Sequence, residues 1–199
     1  MGRRQIMLTA FGELADTLPD MLDLEQTGEC FSIPDYPVSG CHIGGDGYAL
    51  CVWDSSNIEV SEADLAALSL RRRLLWNLVN ETCMCSAASE WRNGSRIWYV
   101  EHISDKGLEH LETVGDCPPA LEGIIREALE ELRAQPEQSE WRADYVFDVP
   151  ELLVAACGGV RDTDYSDDED AEPVWMELRK RSPEVSSGKS KLRWWWPFG

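Results

Sequence analysis

Long apolar runs are missing from this sequence. The stretch from Ile6 to Phe11 meets Gly12 and Glu13 at once, too brief for the apolar core of a signal peptide, and nothing approaches the length of a membrane span. Ile6 also stands where an N-myristoylation pattern requires Ser or Thr. Basic residues are scarce, with 18 Lys and Arg against 37 Asp and Glu and a net charge of −19. A surplus of that size favours solubility, and its field repels nucleic acid and anionic lipid while attracting basic protein surfaces. Neither direct nucleic-acid binding nor stable membrane insertion is therefore expected. The seven cysteines are an odd set without the regular spacing of a disulfide framework. They are expected to be reduced thiols in a cytoplasmic protein, mostly buried as small hydrophobes. No internal repeat is visible. The glycines of Gly44-Gly45-Asp46-Gly47 lack the following Lys-Ser/Thr of a phosphate loop, so a tight turn accounts for them.

What the chain does have is enough apolar material to fold. With 199 residues, 43% of them hydrophobic, it can bury a core without metal or disulfide staples. Its nine tryptophans are large enough to serve either a core or an interface. Charge is distributed unevenly. Residues 1–160 hold 28 acids and 11 bases, residues 161–175 seven acids and one Arg, and residues 176–199 six bases and two acids. This divides the chain into a globular domain over 1–160, an acidic then Ser-rich flexible linker over 161–191, and a Trp-rich segment over 192–199.

Local patterns predict an α+β domain. Ile6, Met7, Ala10, Phe11, Leu14, Ala15 and Leu18 fall at helical spacing, limited by Pro19. Cys30, Phe31 and Ile33 suggest a short strand, and Tyr48–Trp53 a better one. Ser61 and Asp64 form a capping box ahead of a helix whose stripe continues through Leu65, Leu68, Leu75, Leu78 and Val79, with Arg71, Arg72 and Arg73 interrupting it. Asn93-Gly94 between two β-rich runs predicts a hairpin. Its second strand alternates Ile97, Tyr99, Glu101 and Ile103 against Trp98, Val100 and His102, and Leu108–Val114 returns as a third strand. Pro118-Pro119 opens a helix to about Arg133. Tyr145–Val149 reads as a strand, and Pro150 starts a short helix stopped by Gly158-Gly159. The expected architecture is an antiparallel β-meander packed against about three helices, one domain with a flexible C-terminal tail.

No constellation specifies chemistry. Cys83-Met84-Cys85, His102, His110 and Cys117 cluster in sequence, and a turn at 104–107 would bring the two histidines onto neighbouring strands. Yet Cys-x-Cys is not zinc spacing and no second Cys pair completes it. Pairing Cys117 or Cys157 with either histidine lacks any local signature of a nucleophile. Catalytic residues, metal and cofactors are accordingly all expected to be none.

The features that remain concern binding. Trp98, Val100, Leu111 and Trp91 are expected to line a packed sheet face, which leaves Glu101, Glu109 and Glu112 on an acidic opposite side. Asp46 in the Gly-rich turn is a further candidate contact. Trp194, Trp195 and Trp196 cannot all face one way in a regular element, and they follow Lys189, Lys191 and Arg193. They suit docking back onto the acidic body, anchoring a partner, or touching a membrane surface. In size and charge the chain resembles the small acidic immunity proteins of bacterial competition systems, although no motif carries that resemblance. The resemblance implies a non-enzymatic inhibitor that neutralises a basic protein, such as a toxin or nuclease. A nucleic-acid mimic or adaptor regulating a DNA-binding protein is the alternative, and an enzyme with an unrecognised site is the third reading.

Overall fold

The computed structural model describes residues 2–34, 36–53, 58–136, 142–161 and 174–181. Within them the strands are β1 (Arg4–Phe11), β2 (Leu24–Phe31), β3 (Val38–Ile43), β4 (Gly47–Trp53), β5 (Arg73–Asn80), β6 (Cys85–Arg92), β7 (Ser95–Ile103), β8 (Glu112–Gly115) and β9 (Trp175–Lys180). The helices are α1 (Leu18–Met21), α2 (Glu62–Leu68), α3 (Ala120–Ala134) and α4 (Val149–Ala156). All nine strands pair antiparallel into one open sheet in the order β2-β9-β3-β4-β1-β5-β6-β7-β8. The class is therefore α+β. Only β5 to β8 follow one another as a meander, so the sheet as a whole is not a simple one.

Helices cover both faces. Neighbouring residues on a strand point to opposite sides, and β5 illustrates this with Leu74 and Leu75. Leu74 joins Leu8, Leu50, Trp91, Leu18 of α1, and Leu65 and Leu68 of α2 in one core. Leu75 joins Trp98, Val100, Leu121, Ala128 and Leu132 of α3, and Leu153 and Val154 of α4 in a second. We call these the outer and inner faces. A smaller cluster of Met7, Cys41, Ala49, Cys51 and Trp175 continues the inner face toward β9.

Several expectations are corrected. Of the helix expected over 5–18, the first half is β1, at the middle of the sheet, and helical turns begin only at Ala15–Thr17 and α1. Met7, Leu8 and Ala10 are all buried because both faces of this strand are covered, and an apolar run of that kind mimics helical spacing. The same cause misassigned the second half of the helix from Ser61. The capping box is present, with Ser61 Oγ accepting from the Asp64 N–H, but α2 ends at Leu68 and the chain returns as β5. Tyr145–Asp148 is a 3₁₀ turn rather than a strand, capped by Asp144 and leading into α4. Trp175–Lys180, inside the stretch read as a linker over 161–191, is a strand seated between β2 and β3. Trp175 is fully buried, and buried Glu177 accepts a 2.6 Å hydrogen bond from Thr27 Oγ1. One buried aromatic beside a buried acid leaves too short an alternation to stand out from charged flanks.

Candidate functional site: the acidic edge of the sheet

The β6–β7 hairpin forms where Asn93-Gly94 places both residues at positive φ, 49° and 83°. A register shift against β7 follows between Glu90 and Trp91; by strand alternation Trp91, opposite Leu74 of β5, faces the outer core, while Trp98 and Val100 face the inner one. The expected face of Trp91, Trp98 and Val100 is split across the sheet by this alternation. Beyond the bulge β7 alternates as read, with Trp98, Val100 and His102 buried and Tyr99, Glu101 and Ile103 half-buried. Arg96 lies over the rings of Trp91 and Tyr99, at 5.9 and 5.1 Å from their centroids, and reaches Glu62 of α2 at 2.6 Å.

Past this brace the outer face opens. Glu101 of β7 is paired in register with Glu112 of β8, and Tyr99 with Val114. All four residues of β8 are exposed, and the strand is the last in the sheet. The Tyr99 hydroxyl donates to Glu101 at 2.8 Å, and Lys106 Nζ stands 3.9 Å from the same carboxylate. Burial, this hydrogen bond and the Glu101 charge all push the Tyr99 phenol upward, so it remains a donor. Gly115 ends the strand at φ 81°, where a Cβ would overlap the Ile97 carbonyl oxygen.

Glu109 lies in the connection before β8, 4.0 Å from Arg133 of α3, with both side chains exposed. Asp46 is elsewhere. It sits on the β3–β4 turn, four strand positions from β7, where its carbonyl accepts from the Gly12 N–H at 3.0 Å. Asp46 is thus separated from the other acids. Trp194, Trp195 and Trp196 lie outside the described residues. Further exposed acids that were overlooked are Glu122, Glu127, Glu130 and Glu131 on α3. Their signal was present, since they fill the polar positions of a helix whose apolar stripe was legible. From Glu101 to Pro136 the chain holds nine acids and three bases, and every one of these acids except Glu101 is exposed. Glu101 and Glu112 lie on the outer side of the β7–β8 pair, whereas α3 packs on the inner side against α4 and the 3₁₀ turn before it, with Arg133 near Glu109.

The histidines and cysteines do not converge. His102 is fully buried, its Nδ1 facing the His110 carbonyl at 2.6 Å and its Nε2 lying 2.9 Å from Asp144 and 3.1 Å from Ser104. Because a carbonyl only accepts, Nδ1 carries a proton. Ser104 also bonds Asp144 and the Met84 carbonyl, which ties the β7 end to the residues before α4. The rings of His102 and His110 are 6.2 Å apart, and His110 Nδ1 accepts from the Ile103 N–H. Cys85 pairs with Ile103 and so faces away from His102, with its sulphur 2.8 Å from that of Cys83. Among the described residues no group of three or more His, Cys, Asp or Glu is placed to hold a metal. A cavity of about 360 Å³ on the outer face is lined by Ile6, Val52, Trp53, Trp76 and Leu78, and among the described residues its charged lining is Arg4 and Glu59. No His or Cys reaches it.

A buried ion-pair hub was also not legible. Glu90 is 3% exposed and accepts from Arg73 at 3.0 and 3.2 Å, Arg92 at 2.5 Å and Trp98 Nε1 at 3.1 Å. Burial alone would raise its pKa, but the hydrogen bonds from Arg73, Arg92 and Trp98 and the Arg73 charge hold it below the usual value. The hub holds the turn end of the hairpin that presents β7 and β8.

Comparison with models of known families, with curated proteins and with solved structures found no match. Among the described residues no helix is long and apolar enough to cross a membrane.

Proposed function

We propose that this chain is a protein-binding module of the immunity or inhibitor type, which uses the acidic β8 edge to meet a basic protein such as a toxin or nuclease. One observation carries the reading: Glu101 and Glu112 oppose each other in register on the last strand pairing of the sheet, with exposed Glu109 in the connection before β8. Like charges directly opposite repel, and a framework built into the core prevents them from spreading. A cation supplied by a partner relieves that repulsion, so the site favours a bound state the free protein lacks. Tyr99 and half-exposed Val114 add apolar area beside the carboxylates, as an interface requires. A toxin or nuclease whose own site holds anionic substrate presents the complementary field.

The arginines at the far end of β7 give the surface both signs. That favours a protein interface over imitation of a phosphate backbone, which needs one sign along its length. The test is direct binding between this chain and the basic product of a neighbouring gene, compared with the Glu101→Gln/Glu112→Gln double variant. The reading expects a complex that the double variant weakens about tenfold or more. Equal affinity of the two proteins would remove this edge from the interface.

A further inference from the structure

The turn from β5 to β6, at the end of β6 remote from Asn93-Gly94, brings two cysteines together. Asn80 Oδ1 accepts from the Thr82 N–H at 3.1 Å and from the Cys83 N–H at 3.4 Å, which folds the chain back on β5. Met84 adopts left-handed backbone at φ 47°, a conformation that a residue with a side chain holds only where its surroundings impose it. Ser104 is that restraint, since its N–H and its Oγ both donate to the Met84 carbonyl at 3.0 Å. Cys85 then opens β6, in register with Asn80 of β5 and Ile103 of β7. With Met84 turned in this way, Cys83 Sγ stands 2.8 Å from Cys85 Sγ, one thiol donating to the other. The Cys-x-Cys spacing that fails as a zinc motif is here a thiol pair.

The two thiols are not equivalent. Cys83 is exposed and Cys85 is half-buried. Burial above all, and then the hydrogen bond and charge of Cys83, push the Cys85 thiol up to about 12. Because the thiolate is the reactive form, Cys85 is inert while Cys83 is reduced, and the exposed sulphur is the one that a dissolved oxidant meets first. Oxidation of Cys83 takes away the thiol hydrogen bond and the thiolate charge that help to keep Cys85 protonated. The geometry therefore sets an order of reaction, with Cys83 first and Cys85 second.

We infer that Cys83 and Cys85 form an oxidative modification site, a dithiol that a hydroperoxide converts into a disulfide. The Cys83 thiolate attacks the terminal oxygen of the peroxide, an S–O bond forms and the O–O bond breaks. The departing oxygen takes up the proton that the thiol released and leaves as an alcohol or as water. The Cys85 sulphur then attacks the Cys83 sulphur, an S–S bond forms as the S–O bond breaks, and the departing hydroxyl leaves as water with the Cys85 proton. Two thiols are oxidised to one disulfide while one peroxide is reduced. Contact between the sulphurs before reaction makes the second step intramolecular, which favours it over oxidation by a second peroxide. This inference does not rest on the acidic edge, and failure of either leaves the other standing.

Hydrogen peroxide is the probe, added in equimolar amount to the reduced full chain with and without dimedone, which traps sulfenic acid. Cleavage after Arg73 and Arg92 releases peptide 74–92, which holds these two cysteines and no other. In the wild type that peptide should lose two hydrogens, regain them with a thiol reductant, and carry little dimedone. Cys85→Ser should carry at least tenfold more dimedone on Cys83, because nothing resolves the sulfenic acid. Cys83→Ser should be oxidised at Cys85 at least tenfold more slowly than the wild-type peptide. A wild-type peptide that keeps its hydrogens, or that is joined to a second chain, would overturn the assignment. Equal trapping in the wild type and Cys85→Ser would do the same, as would oxidation of Cys83→Ser at the wild-type rate.

Discussion

Glu101 on β7 and Glu112 on β8 stand directly opposite one another across the last strand pairing of the sheet. Cross-strand partners of like charge destabilise by a few tenths to one kcal/mol. Lys106, at 3.9 Å from Glu101, offsets part of this. Glu112→Thr should therefore raise stability by about 0.5 kcal/mol, since it removes the repulsion and suits a strand. A urea midpoint that shifts upward without a change in slope is the expected readout. A downward shift would mean that Glu112 is paired rather than opposed.

Glu90→Gln should lower stability by about 3 kcal/mol, because Arg73 would keep a charge whose carboxylate partner is gone. The pH dependence has a definite sign. Glu90 has a folded pKa below its unfolded value, so its contribution is complete above the ordinary carboxylate pKa of about 4.3. It is lost as pH falls through the depressed folded value. The stability difference between wild type and Glu90→Gln should hold steady from neutral pH to about 5 and shrink below that. Denaturant titrations of both proteins across this range would check it, and a difference that grows on acidification would refute the assignment.

Gly115→Ala should detach β8. The new methyl group would meet the Ile97 carbonyl, and the backbone is held at φ 81°. A cost of about 1–3 kcal/mol is expected, concentrated at the edge. Faster amide exchange at Thr113 and Val114, with unchanged exchange on β1, would mark the loss as local. Uniform acceleration throughout the sheet would show that β8 is integral to the core.

Thiol labelling should separate the cysteines by burial. Cys30 and Cys83 are exposed, whereas Cys41 and Cys51 are buried. Burial pushes the Cys41 thiol up to about 12, which removes the reactive thiolate at neutral pH. Alkylation followed by mass spectrometry should modify Cys30 and Cys83 first and reach Cys41 only on unfolding. Early modification of Cys41 would mean that β3 opens readily.

The elements that could be read from sequence were those with one solvent face. β7 displayed its alternation because Tyr99 and Glu101 look outward while Trp98 and Val100 look in. The hairpin declared itself through Asn93-Gly94, and α3 through its apolar stripe. β1 and β5 were hidden because burial on both sides erases period two, and Leu75, Leu78 and Val79 then imitate a helix. β9 was hidden by its charged surroundings. At the candidate site, Glu101, Glu109 and Glu112 were legible as acids on or near an edge. The separation of Asp46 from the other acids depends on sheet order, which no local pattern encodes.

The central claim is that the acidic β8 edge draws in a basic protein. The most direct measurement is the association rate constant with such a partner, taken by stopped flow between about 0.05 and 0.5 M salt. The rate should fall by tenfold or more as salt rises, and Glu109→Lys/Glu112→Lys should both slow it and flatten its salt dependence. A rate indifferent to salt and to that charge reversal would contradict the account.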